Sequence, residues 1–297
     1  MKSSLALMFS LLTFAGCSAR TNQFNTFAQA GTTYITASQA VIQAAGTATV
    51  NTDSAFLMKI RPNLDQAGRQ KAVTDSDTLL KQRLQVLQLI SAHSNLLQSY
   101  FSALASLSDP KATDTVGTAA QGIYQSLSKI SPSLKNAKIG TTTVSSFIPT
   151  VTAPLVAVFK AQALDKELKA HSADIANELA LQEAAFSAIE AELKTDTQEQ
   201  QNLKETDSIN QFAANANLPA DWVSQRQAIL SPAPAIAASD AASKAASQLR
   251  TTFNALVENR LDSSGFASLM VSTARGASSV SASASSAPRP SSCGWAR

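Results

Sequence analysis

Two cysteines and two histidines in 297 residues leave little material for thiol or metal chemistry. No Cys-x-x-Cys pair occurs, and the Gly-x-Ser-x-Gly elbow and the Gly-rich phosphate loop are both missing. Hydrolase, nucleotide-binding and thiol-redox readings therefore lack their usual supports, and neither a catalytic residue nor a cofactor is expected. Charged residues make up 15% of the chain, against about 25% in an average soluble domain, and aromatic residues only 6%. Lys and Arg are scattered, with no basic stripe interleaved with aromatics, which argues against nucleic acid as a partner. No convincing run of alternating strand pattern is found either.

What the chain does have is helical periodicity. Phe24, Phe27, Gly31, Tyr34, Ser38, Val41 and Ala45 recur every three or four residues. From Asp75 the steps sharpen: Leu79, Arg83, Val86, Ile90, His93, Leu97, Tyr100, Leu104 and Leu107 form the seam of a coiled-coil-like bundle helix that Asp109-Pro110 ends. Val116, Ala120, Ile123, Leu127 and Ile130 continue the spacing in a next helix, where Gly117 and Gly122 would let a neighbour approach closely. After Pro154 comes the longest periodic segment, with Leu168, Ile175, Ile189 and Leu203 on one heptad position and Leu179, Phe186 and Leu193 on the other. Gln182, Asp196 and Gln200 interrupt that seam. Unbroken to Phe212, it would approach 90 Å at about 1.5 Å per residue. A short helix over Asp221 to Leu230 and a last one with Ala242, Ala246, Leu249, Phe253 and Leu256 on its seam follow, the latter stopping near Ser263-Ser264-Gly265. The fold class expected is all-α, an elongated antiparallel helical bundle with long coiled-coil-like helices.

The two ends read differently. Lys2 gives a positive start, Leu5 to Phe14 an apolar run, and Ala15-Gly16 the small residues of a cleavage site. Ten apolar residues rise only about 15 Å, half a bilayer core, so this segment is expected to be removed as a signal peptide over 1–16. The order Leu12-Thr13-Phe14-Ala15-Gly16-Cys17 resembles the lipobox of bacterial lipoproteins. That resemblance implies a thioether-linked diacylglycerol on the Cys17 sulfur and an acyl chain on its amine, anchoring the chain stably without spanning the membrane. Ser18 after the cysteine implies, in the same family, sorting to the outer membrane. The bland alternative is an ordinary secretory peptide with a bystander cysteine. Residues 17–272 then form the lipid-anchored bundle, and 273–297, rich in Ser and Ala and holding Cys293, a disordered tail.

Two further features carry sharper hypotheses. Between Lys138 and Lys160 lie 21 uncharged residues, 139–159, nominally enough to cross a bilayer as a helix, although Gly140, Pro149 and Pro154 break it. Phe147, Ile148, Val151, Leu155, Val156 and Phe159 are its candidate membrane or partner contacts; the alternatives are a buried connector and a segment that inserts, as in a membrane-perturbing or pore-forming helical protein. Glu167, His171, Asp174 and Glu178 fall at helical spacing and could form a weak carboxylate-histidine face, or simply a solvated one. His93, flanked on its seam by Ile90 and Leu97, reads as a hydrogen-bonded core histidine. By elimination the expected role is non-enzymatic: a scaffold or protein-binding module in the cell envelope. Polarity at Arg83, His93, Gln182 and Asp196 fits register setting, within the bundle or with a partner helix.

Overall fold

The structure, a computed structural model, describes residues 4–106, 112–129, 138–139, 142–143, 171–215, 217–230 and 234–258, with side-chain packing described from residue 23 onward. The described chain is helical. Its helices are α1 (Ser4–Ile60), α2 (Gln66–Ala105), α3 (Ala112–Ser128), α4 (Ser172–Ala214), α5 (Trp222–Leu230) and α6 (Pro234–Val257). Two strands of two residues each, β1 (Lys138–Ile139) and β2 (Thr142–Thr143), pair antiparallel with Ile139 opposite Thr142. A ladder that short carries no period that a sequence reading could detect.

Helix α1 is poor in charge and rich in threonine, an unpromising composition for a long helix. Its hydroxyls resolve the conflict by bonding back to carbonyls one turn earlier: Thr32 to Ala28, Thr36 to Thr32, Thr47 to Gln43 and Thr52 to Ala48, all near 3.0 Å. A 3-10 turn at Arg61–Asn63, with Pro62 inside it, ends the run. Asp65 then caps α2 by accepting a 2.7 Å hydrogen bond from the Gly68 amide.

With so short a connection α1 and α2 must run antiparallel, and the side chains agree. Ser91 Oγ donates to Gln39 Oε1 at 2.7 Å, Gln39 Nε2 donates to Asn95 Oδ1 at 3.1 Å, and Ser76 meets Asp53 nearer the turn. Helix α4 runs parallel to α1, with Tyr34 edge-on to Phe186 and Gln200 Nε2 donating to Thr52 Oγ1 at 2.7 Å. Helix α6 returns antiparallel to α4, where Ser239 Oγ donates to the Phe186 carbonyl at 2.8 Å and Ser243 Oγ to that of Glu183 at 3.0 Å. Helix α3 packs mainly on α2.

The sequence seams become one core. Phe24, Phe27, Tyr34 and Val41 of α1, Val86, Ile90, Leu97, Tyr100 and Leu104 of α2, and Ala242, Ala246, Leu249, Phe253 and Leu256 of α6 are all buried. At the end of the core nearest the start of α1, Phe27 lies 5.5 Å from Phe101 and 5.8 Å from Phe253, and Tyr100 touches both of those rings. Such edge and stacked contacts add to the area they bury. Gly31 is what lets Phe101 in: a Cβ there would lie 2.5 Å from the Phe101 ring. Gly122, expected to allow a close approach, meets nothing nearer than Leu96 at an ordinary 3.8 Å.

Two other expectations need correction. Leu79 is 62% exposed, because the apolar stripe of α2 runs on past the shared core, whose buried α2 residues begin at Val86. The longest described helix is α1, of 57 residues, and not the segment after Pro154; α4 spans 43 residues, about 65 Å. No described helix is long and apolar enough to cross a membrane.

Candidate functional site

Two polar clusters interrupt the apolar core, and they use the residues that break the sequence seams. The first lies where α2, α3 and α4 meet. His93 occupies a seam position of α2 and is fully buried, so its ring needs partners within the protein. Glu178 of α4, also fully buried, supplies one: His93 Nδ1 and Glu178 Oε2 are 2.7 Å apart and hold one hydrogen between them. One turn on, Gln182 Nε2 donates to Glu178 Oε1 at 3.0 Å, and Ser94 Oγ lies 3.2 Å from Gln182 Oε1 while also donating to the Ile90 carbonyl. Ser126 of α3 approaches His93 Nε2 at 3.4 Å. Both carboxylate oxygens and both imidazole nitrogens are thus engaged, the condition under which an acid can be buried without a ruinous desolvation cost. Burial likewise holds the nearby Tyr34 phenol well above its usual pKa, and the Glu178 and Glu183 carboxylates add to the rise, so Tyr34 stays neutral.

The second cluster lies further along α1, α2 and α4. Arg83 Nη1 reaches Glu192 Oε1 at 2.8 Å, and Thr49 Oγ1 approaches Asp196 Oδ2 at 3.4 Å. A narrow cleft lined by Ala45, Thr49, Arg83, Leu87, Glu192 and Leu193 opens beside them. Two acids share one guanidinium here. Burial, then the Glu192 charge, push the Asp196 carboxyl up to about 6, against the opposing pull of Arg83 and the Thr49 hydrogen bond.

That shift has a sign that can be tested. A carboxyl whose folded pKa lies above its unfolded value binds more protons when folded, so its contribution to stability is best below pH 4 and declines as pH rises towards 6. Asp196→Asn, which keeps the shape and loses the charge, should gain stability relative to the native chain as pH is raised from 4 to 7. Denaturant midpoints at the two pH values measure this; a difference that shrinks or stays flat would contradict it.

The face of His171, Asp174 and Glu178 is not solvated as one of its readings had it. Asp174 is 3% exposed and Glu178 fully buried, and His171 Nδ1 lies 3.6 Å from Asp174 Oδ2. Glu178 turns to His93 of α2 and not along its own helix to His171. Among the described residues no group of three or more His, Cys, Asp or Glu side chains could hold a metal ion. Glu167 lies outside the described residues, as do Phe147, Ile148, Val151, Leu155, Val156, Phe159 and the tail over 273–297 with Cys293. Of segment 139–159 only Ile139, in β1, and Thr142 and Thr143, in β2, are described. Cys17 falls within the span of α1, its side chain outside the described packing.

Comparison with protein families, with curated proteins and with solved structures found no match to this chain. The chemistry of the clusters must therefore speak for itself. The His93–Glu178 pair is sealed from solvent, and every polar atom named in it bonds to another helix or to its own. Such groups fix which turn of one helix meets which turn of the next. Sequence reasoning picked out Arg83, His93, Gln182 and Asp196 as polar seam positions; it missed Glu192, Ser94 and the inward turn of Glu178, whose partners are distant in sequence.

Proposed function

We propose that the chain is an exported bacterial envelope lipoprotein, lipidated on Cys17, whose elongated antiparallel bundle acts as a non-enzymatic scaffold or protein-binding module. The observation that carries the structural half of this reading is the pairing of the polar seam residues, of which His93, Gln182 and Asp196 are buried and Arg83 is exposed. Arg83, His93, Gln182 and Asp196 find partners within the bundle, so they set internal register and leave outer helix faces for a partner. The anchoring half rests on the lipobox-like stretch ending at Cys17. Its position in α1, seven residues before the buried Phe24, supports a short tether that holds the bundle close to the membrane, with the outer membrane as the expected address.

Metabolic labelling with palmitate tests the anchor. The native protein should incorporate label and fractionate with membranes, and Cys17→Ser should abolish the label entirely and leave the protein soluble or uncleaved. Label persisting on the Cys17→Ser protein would refute the assignment.

A further inference from the structure

Beyond the second polar cluster the core stops, and the far ends of α1, α2 and α4 present apolar residues to solvent. Two surfaces there differ in shape and in charge. The turn between α1 and α2 forms a groove lined by Leu57, Met58, Leu64 and Val73, with Arg61 and Arg69 on its edge. Met58 is 74% exposed and Val73 48%. Over residues 59–71 this turn carries Lys59, Arg61, Arg69 and Lys71 against Asp65, which is occupied in capping α2. Lys71 pairs with Asp75 one turn on, so the cationic edge of the groove is Arg61 and Arg69. The end of α4 is the opposite. From Glu199 to Ala214 it carries three acids, Glu199, Glu205 and Asp207, against Lys204. Glu205, Ile209 and Phe212 are spaced four and three apart, so they lie on one face, and all three are exposed. Phe212 is held from behind by Trp222 of α5, 5.6 Å away, whose indole Nε1 donates to the Ser208 carbonyl.

A groove with apolar walls and a cationic edge fits an amphipathic helix bearing two large apolar residues and an acid. The same molecule carries such a helix face, and among the described residues Met58 and Val73 of the groove and Ile209 and Phe212 of the face are exposed. We infer that the groove of Leu57, Met58, Leu64 and Val73 receives the Glu205–Ile209–Phe212 face of a second copy of this chain. Glu205 then meets Arg61 and Arg69, while Ile209 and Phe212 fill the groove. Because each copy has both surfaces at the same end, a two-fold axis makes the contact twice, giving a closed end-to-end dimer. Opposite charge on the two surfaces favours this occupant over an anionic lipid surface, which would gain from the basic turn and be repelled by the acidic end of α4.

The inference rests on the binding-module reading and gives it a specific partner. A photocrosslinking amino acid at Val73 of the full chain tests it. The expected product is a covalent dimer in which Val73 is joined to residues between 204 and 215 of the other copy. Arg61→Glu should lower the dimer yield about tenfold, and adding Glu205→Arg to the same chain should restore it. Monomer alone, a crosslink within one chain or to lipid, or a charge swap that fails to restore the dimer would overturn the inference. A crosslink to a different envelope protein would overturn it too, while leaving the binding-module reading standing.

Discussion

Replacing Glu178 by Ala should lower the free energy of unfolding by about 3–5 kcal/mol, the range for breaking a buried, hydrogen-bonded pair from one side. The loss comes from what is left behind. His93 Nδ1 and Gln182 Nε2 both aim at the missing carboxylate and, at zero exposure, neither can turn to water. The vacated volume lies between α2 and α4 in a core of buried side chains, so a cavity cost adds to the loss. Lys71→Ala provides the contrast, since the Lys71–Asp75 pair stands in solvent on one helix and its loss should leave the denaturant midpoint nearly unchanged. Urea or guanidinium titrations of the two variants measure the difference; equal midpoints would show that Glu178 is not held as described.

Gly31→Ala should also destabilise, by about 1–3 kcal/mol, although exchanging Gly for Ala inside a helix ordinarily gains about 1 kcal/mol. The two effects oppose each other, and packing wins because the Phe101 ring cannot retreat: Phe27 stands edge-on to it and Tyr100 closes the other side. Trimming the ring should reverse the sign. In a Phe101→Leu background, Gly31→Ala should cost little or stabilise, and a thermal melt of the four proteins separates the steric term from propensity. A Gly31→Ala protein more stable than the native one would mean that α1 and α2 do not approach as closely as this.

These two sites show what a sequence reading can reach. The apolar seams of α1, α2 and α6 were legible because a helix facing a core repeats every three or four residues, and nearly all the positions so marked are buried. Leu79 failed because the pattern records a stripe and not where along the helix the shared core stops. The meaning of Gly31 was hidden, since its neighbour Phe101 is 70 residues away. Polar seam positions were visible as interruptions at His93, Gln182, Asp196 and Gln200, and each bonds across helices. Their partners were not visible. Glu178 looked like one member of a face shared with His171, because local spacing sends charge to solvent unless something distant in the chain neutralises it.

The buried polar pairs are the centre of this account: they hold the helices of the proposed scaffold in one register. A double-mutant cycle on His93 and Glu178 tests that most directly. If the two act as a unit, His93→Ala with Glu178→Ala together should cost at least about 2 kcal/mol less than the sum of the single changes, because the second removal abolishes the orphan that the first created. Additive losses, with no coupling between the positions, would contradict it.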